Sequence, residues 1–184
     1  IAYTCRKLAG LDYAISTDSD IYLYDIATGA VKNLCKPEGY VRPKCDPTRS
    51  LKDQAVNQFK EDVNAGYDQN PQFSPDGKYI AWSSMERDGY ESDRTRLCIY
   101  EFASGKKTYV TESFESGVDS YCWAADNHTL YFTGVWHATS MIYQTNLNGE
   151  VKKLTEGDYD YASVALMGDQ IITKRHSISH ADEI

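Results

Sequence analysis

Two features that would point to common classes of partner are missing from this sequence: a long apolar segment and an excess of positive charge. No apolar run approaches the roughly 18 residues of a membrane-spanning helix. Lysine and arginine number 19 against 27 aspartates and glutamates, which gives a net charge of −8. Because phosphate binding needs clustered positive side chains, we expect no nucleic-acid partner and no membrane partner.

Metal-binding and catalytic motifs are also missing. The five cysteines include no C-x-x-C pair, so the sequence predicts no structural metal site and no cofactor. Cys35 and Cys45 flank a loop rich in proline and glycine; they could form a disulfide in an exported protein or stay reduced. G-x-S-x-G does not occur, and none of the four histidines accompanies a serine in a nucleophile context. The sequence therefore predicts no catalytic residue, and we expect no peptide hydrolysis by this chain alone.

What the sequence does contain is tyrosine and repetition. Tyrosine contributes 15 residues, and aromatic residues favour strands. An apolar strand, a turn with or near glycine and a second strand occur in sequence three times, starting at Ile21, Leu97 and Met141. A second pattern, FSPDGKYIAW from Phe73, returns as WAADNHTLYF 50 residues further on and, in a weaker form, as VALMGDQIIT from Val164. Pro-Asp-Gly and Asp-Asn are turn formers, so each copy predicts an antiparallel hairpin.

Two hairpins in succession make a unit of four antiparallel strands, which is the sequence signature of a β-propeller blade. The predicted fold class is therefore all-β: a partial propeller of about three to four four-stranded blades with one inserted short helix. We predict the end of one blade at 1–34, blades at 66–112 and 117–155, and the start of another at 158–184. A closed propeller typically has 4–8 blades, so we expect a piece of a longer protein whose open sheet edges favour association. An open sandwich of four hairpins is the alternative fold.

The segment 35–65 interrupts the blades. Within it Leu51, Ala55, Phe59 and Val63 recur at steps of four, with Ser50 as a possible cap and Gly66 as a possible stop. This spacing predicts an amphipathic helix inserted on a propeller loop. Its apolar stripe is explained most simply by packing against the sheet, with partner binding as the alternative.

Three stretches together resemble a known family: NPQFSPDGKYIAWSSMERDGYESDRTRL, GVWHATSMIY and ITKRHSISHADEI. They resemble the propeller of prolyl-oligopeptidase-family serine peptidases, above all dipeptidyl peptidase IV-like and acylaminoacyl-peptidase-like members. The resemblance implies a propeller that gates access and helps to bind the N-terminus of a peptide substrate. It also implies an α/β-hydrolase domain with a Ser-Asp-His triad in the same protein, and a periplasmic or secreted location.

Two features keep other functions open. The paired glutamates with which dipeptidyl peptidases anchor a free amine have no match here, so acylaminoacyl specificity is the alternative within the family. The S-P-D-G turn is shared with TolB-like and WD-type propellers, so a non-enzymatic TolB-like scaffold that binds proteins is the alternative outside it. A propeller lyase with a metal held by His137, His176 and His180 is a third and more distant possibility.

Candidate binding residues come from the loops between second and third strands, which share one face of a propeller. The relevant loops are MERDGYESD, GVWHATS and RHSISHAD, with Arg6 and Lys7 on the corresponding loop of the first blade. A glutamate suits a peptide amine and an arginine suits a carboxylate or carbonyl. Arg175 in RHS also resembles a substrate-contacting arginine of dipeptidyl peptidases. The predicted rim is Glu86, Arg87, Trp136, His137, Arg175 and His176; the alternative is that these are solvated loop residues or structural ion pairs.

Overall fold

The computed structural model describes residues 1–42 and 64–184. The helix predicted after Ser50 lies outside these residues, and so does Cys45. The chain forms two compact units: Ile1–Pro71 with Trp82–Asp93 is unit 1, and Gln72–Ala81 with Arg94–Ile184 is unit 2. No helix in the described ranges has the length and hydropathy to cross a membrane.

Antiparallel strands account for nearly all of the regular structure, so the all-β prediction is confirmed. A first sheet contains β1 (Ala2–Cys5), β2 (Asp20–Tyr24) and β3 (Val31–Asn33) in the order β1-β2-β3, and the short helix α1 (Leu11–Ile15) lies between β1 and β2. The second sheet, in the order β4-β5-β6-β7, contains β4 (Asp68–Phe73), β5 (Tyr79–Ser84), β6 (Arg96–Glu101) and β7 (Lys107–Tyr109). The third, in the order β11-β10-β9-β8, contains β8 (Val118–Trp123), β9 (Thr129–Trp136), β10 (Thr139–Asn146) and β11 (Lys152–Lys153).

The C-terminal strands are shorter and divide into two sheets. They are β12 (Asp160–Tyr161), β13 (Ala165–Met167), β14 (Gln170–Ile172), β15 (Arg175–Ser177) and β16 (His180–Glu183). β13 and β14 form a hairpin, while the other three strands are ordered β12-β15-β16. The structure thus contains the hairpins predicted from the repeats; the predicted blade boundaries remain predictions.

The two best copies of the repeated turn have the same design in unit 2. Ser74 Oγ donates to Asp76 Oδ1 at 2.8 Å, and Gly77 takes a φ of 71° that closes the turn. In the second copy Asp126 Oδ1 accepts from the backbone N–H groups of His128 and Thr129, both at 2.9 Å. Asn127 takes the left-handed conformation there, with a φ of 62°.

The core of unit 2 is aromatic. The rings of Phe114, Phe132 and Tyr143 form a cluster with centroid separations of 4.8 to 5.3 Å. Gly134 on β9 lies directly against Phe114, because an added Cβ would come within 2.8 Å of two ring atoms. This packing fixes the strand that leads to Trp136.

Two of the three predicted loops are shorter than expected. Trp136 is the last residue of β9, and only His137 and Ala138 form the turn before β10. Arg175 and His176 belong to strand β15 and not to a loop. At the first of these loops, positive φ values at His137 and Ala138, 48° and 68°, allow a two-residue hairpin turn without glycine. MERDGYESD does lie between two strands, β5 and β6, as predicted.

Candidate functional site

An exposed aromatic pair stands at the tip of the β9–β10 hairpin. The indole of Trp136 stacks on the imidazole of His137 with ring centroids 4.5 Å apart and planes 8° from parallel. Trp136 is 45% exposed, so one face of the pair is open to solvent. Thr139 Oγ1 donates to the Trp136 carbonyl at 2.9 Å and closes the tip. The arrangement offers a flat apolar surface held on a short, fixed turn.

Asp160 connects this hairpin to strand β15. Its Oδ1 accepts the backbone N–H of Ser140 at 2.7 Å, and its Oδ2 lies 4.0 Å from Nε2 of His176. Asp160 and His176 are also directly opposed in the antiparallel pairing of β12 with β15. The predicted residues Trp136, His137 and His176 are therefore linked, in unit 2, through a carboxylate that the loop-based prediction did not include.

His176 has a second carboxylate neighbour. Its Nδ1 lies 3.4 Å from Oδ1 of Asp182, whose other oxygen accepts from Lys174 at 2.8 Å. This hydrogen bond from Lys174 lowers the pKa of Asp182. The imidazole consequently stands between two carboxylates.

Arg175 already has partners in its own chain. Its Nε donates to Oε1 of Glu183 at 2.6 Å, and its guanidinium lies 4.4 Å above the ring centroid of Tyr159. The hydrogen bond to Glu183 raises the pKa of Arg175. A substrate carboxylate or carbonyl at this guanidinium would therefore compete with Glu183, whose side chain is half-exposed and able to move away.

In unit 1 the loop after β5 holds Arg87 in a local contact. Its backbone N–H donates to Asp93 Oδ2 at 2.9 Å, its guanidinium pairs with the same carboxylate, and it covers the Tyr90 ring at 4.1 Å. These contacts agree with the alternative interpretation from the sequence, in which Arg87 forms a structural ion pair. Glu86 beside it is exposed.

Arg6 and Lys7 also make contacts within unit 1. Arg6 Nη1 donates to the Ser16 carbonyl at 2.9 Å and lies 3.9 Å from the Tyr13 ring centroid. Lys7 Nζ lies 4.0 Å from the centroid of the Tyr22 ring. Arg6 therefore contacts α1 and the residue after it, and Lys7 contacts β2.

A buried ionic cluster in unit 1 was not predicted. Asp88 Oδ1 accepts from Ser16 Oγ and from the Thr17 N–H, both at 2.7 Å, and Arg42 pairs with Asp88 and with Asp18. Lys36 pairs with Asp18 at 2.8 Å and with Asp20. Burial raises the pKa of Asp18 to about 6 in spite of Lys36. This cluster fixes the 36–42 segment against the loop before β2.

Next to this cluster lies a fully buried carboxyl. Asp68 Oδ1 accepts from Trp82 Nε1 at 2.8 Å and from Asn64 Nδ2 at 2.7 Å. Burial raises the pKa of Asp68 to about 7. Asp68, Asp20 and Cys35 each offer one ligand atom, and these three atoms lie within 4.8 Å of one another. Of the described residues, this is the group whose atoms could hold a metal ion.

Sequence comparison relates the whole chain to part of two peptidases. No family model matches the chain. Dipeptidyl-peptidase 5 of Porphyromonas gingivalis is 38% identical over 185 residues, which cover 100% of this chain and 23% of that protein. Dipeptidyl-peptidase 5 of Porphyromonas endodontalis is 41% identical over 179 residues, covering 97% of this chain and 22% of that protein. The chain thus spans less than a quarter of the length of either relative, and the predicted resemblance to dipeptidyl peptidases is confirmed.

Solved structures with the same fold include peptidase domains. The β-propeller domain of the Trilobed protease from Pyrococcus furiosus matches 99% of this chain and 46% of its own, with a TM-score of 0.61 at 15% identity. The acylaminoacyl peptidase of Pyrococcus horikoshii matches 91% of this chain and 21% of its own, with a TM-score of 0.57 at 16% identity. TolB from Acinetobacter baumannii matches 99% of this chain and 40% of its own, with a TM-score of 0.51 at 14% identity. At these identities the likeness establishes the β-propeller fold alone.

Proposed function

We propose that this chain is the non-catalytic propeller portion of a serine exopeptidase, which gates access to the catalytic centre and recognises the N-terminus of the peptide substrate. The observation that carries the proposal is the 38% identity to a dipeptidyl-peptidase 5 along the entire chain. In this proposal an α/β-hydrolase domain of the same protein supplies the serine that attacks the peptide carbonyl. The alternative of a TolB-like scaffold has weaker support, because that likeness is one of fold at 14% identity.

The geometry of unit 2 suits the recognition of a peptide end. A protonated α-amine is attracted by the carboxylates of Asp160 and Asp182, and the Trp136–His137 stack provides an apolar surface for a neighbouring side chain. Arg175 can turn from Glu183 towards a peptide carbonyl. Glu86 and Arg87 remain separate candidates in unit 1. An exported location and association through open sheet edges are further parts of the proposal.

The test uses the full-length protein that contains this chain and two matched chromogenic peptides, one with a free N-terminus and one N-acetylated. We expect cleavage of the free-amine peptide. The Asp160→Asn variant keeps an acceptor for the Ser140 N–H but loses the negative charge, so the KM for the free-amine peptide should rise about tenfold or more. The turnover number should stay nearly constant, because the amine is remote from the reacting bond.

Controls separate the two parts of the proposal. Lys153→Ala removes an exposed ion pair with Glu156 and should leave KM unchanged. If the full-length protein cleaves neither peptide, the peptidase proposal is wrong and the scaffold alternative gains support. If it cleaves the free-amine peptide and Asp160→Asn behaves like Lys153→Ala, the recognition site in unit 2 is wrong.

A further inference from the structure

Three strands of unit 1 bring a thiol and two carboxyls together in its interior. Asp20 begins β2, Cys35 follows β3 and Asp68 begins β4; Cys35 and Asp68 are both 0% exposed. The backbone holds β2 and β4 side by side, because Ser19 N donates to the Gly66 carbonyl at 3.2 Å and Asp68 N donates to the Ser19 carbonyl at 3.1 Å. The relative positions of the three side chains are therefore determined by the sheets.

One carboxylate oxygen of Asp68 is buried without a hydrogen-bond donor among the described residues. Asp68 Oδ1 is held by two donors, whereas Oδ2 has no hydrogen-bond partner in the part of the chain that the structure describes. The Cys35 thiol interacts with the same carboxyl, but a thiol is a weak donor. A buried polar atom in this state is costly, and a bound ion is one of the few explanations.

Asp20 and Cys35 each accept hydrogen bonds from neighbouring residues, as metal ligands commonly do. Asp20 Oδ2 accepts from Asn33 Nδ2 at 2.8 Å and from the Tyr22 hydroxyl at 3.3 Å. Cys35 Sγ accepts the backbone N–H of Ile21 at 3.2 Å, which fixes the direction of the side chain. Donors that fix the orientation of ligands are a regular feature of protein metal sites.

The acidic side chains around this site outnumber the basic ones, which favours binding of a cation. Two positive side chains, Lys36 and Arg42, pair with Asp18, Asp20 and Asp88, and Asp68 adds another buried carboxyl beside them. In the described ranges this cluster contains more acidic groups than basic ones. Buried charges are normally paired or bound to metals.

We propose that Asp20, Cys35 and Asp68 bind a divalent zinc ion. A thiolate with two carboxylates is a donor set for zinc, whereas magnesium and calcium prefer oxygen alone. The ion ties Cys35, and with it the start of the 36–42 segment, to strands β2 and β4. The role is structural and independent of the proposed peptidase function. The sequence did not predict it, because the ligands come from two strands and from the segment after a third, and not from a C-x-x-C pair.

The experiment measures zinc bound per chain in the full-length protein, after chelation and reloading with zinc chloride. We expect Cys35→Ser and Asp68→Asn each to lose one equivalent relative to the wild type. Cys122→Ser, in unit 2, is the matched control and should retain that equivalent. Asp68→Asn keeps an oxygen for the Trp82 and Asn64 donors, so it should fold, which circular dichroism can verify.

Cobalt substitution gives a second readout that depends on the thiolate itself. The wild type and Cys122→Ser should show the thiolate-to-cobalt charge-transfer absorption, and Cys35→Ser should lack that component. Magnesium in place of zinc should leave the melting temperature unchanged, while zinc should raise it in the wild type and not in Asp68→Asn. Equal zinc content in Cys35→Ser, Asp68→Asn and Cys122→Ser would overturn the proposal.

Discussion

Replacing Gly134 by alanine tests how tightly the aromatic core of unit 2 is packed. An ideal Cβ at this position would lie 2.8 Å from two atoms of the Phe114 ring and 2.9 Å from the Gly117 carbonyl oxygen. The ring has little space to move, because its centroid is 5.2 Å from that of Phe132 and 4.8 Å from that of Tyr143. Overpacking of this kind costs about 1–3 kcal/mol. We expect Gly134→Ala to destabilise the β8–β10 sheet by that amount.

Native-state hydrogen exchange measures this loss locally, which suits a sheet inside a larger protein. A loss of about 1–3 kcal/mol corresponds to roughly 5- to 150-fold faster exchange of the protected amides in β9 and β10. Gly117→Ala is the matched control, because the nearest atom to its new Cβ is Thr95 N at 3.6 Å, an ordinary contact. Neither glycine has a positive φ, so backbone strain does not distinguish the two variants.

A double variant identifies the cause. If the clash with the ring is responsible, Phe114→Leu combined with Gly134→Ala should be less destabilised than the sum of the two single variants. Exchange in Gly134→Ala that is as slow as in Gly117→Ala would refute the packing argument. Strictly additive effects would show that the ring is not the obstacle.

Three more predictions concern one or two positions each. Burial raises the pKa of Asp68 from 3.8 to about 7, so its contribution to stability is complete below about pH 3.8 and is lost as the pH rises through about 7. In the metal-free protein, the melting temperature should therefore fall less between these pH values in Asp68→Asn than in the wild type. An equal fall in both would contradict the burial argument. Replacing His137 and Ala138 together by Asn and Gly should slow exchange at the hairpin tip, because φ values of 48° and 68° are unfavourable for other residues by about 1–2 kcal/mol each; equal exchange would show that the turn is unstrained. Gly66→Ala should lower the yield of folded protein severely, since its Cβ would lie 2.4 Å from the Met85 carbonyl oxygen, and normal yield with an unchanged melting temperature would refute this.

The repeats made most of the fold predictable. Hairpins at Phe73 and Trp123 follow from local turn chemistry, since Pro-Asp-Gly and Asp-Asn determine backbone conformation within a few residues. Trp136 and His137 stack on each other at the hairpin tip, but the short length of their loop was not predicted. A positive φ at His137 has no sequence signal comparable to glycine.

The partners of the candidate residues were beyond the reach of local patterns. Asp160 faces His176 because β12 pairs with β15, although 13 residues containing another hairpin separate these strands. Asp88 and Arg42 pair across a still longer separation. The contact between Asp160 and His176 depends on the order of the strands. A repeat predicts that order where all four strands recur, as in β8 to β11, and less readily for the shorter C-terminal strands. The alternation in DYDY, from Asp158 to Tyr161, is the sequence signal that could have directed attention to Asp160.

The two repeated turns in unit 2 are joined by a hydrogen bond. Asn127 Oδ1 accepts the backbone N–H of Asp76 at 2.7 Å, so the turn of one repeat is clasped by the side chain of the next. Glycine would adopt the φ of 62° at position 127 more easily, but it would have no amide to offer. The equivalent positions of the other two copies are Gly77 and Gly168, so this coupling belongs to the second copy and not to the repeat in general. An asparagine in place of a turn glycine therefore gains a hydrogen bond to the neighbouring repeat at the cost of a less favourable backbone conformation.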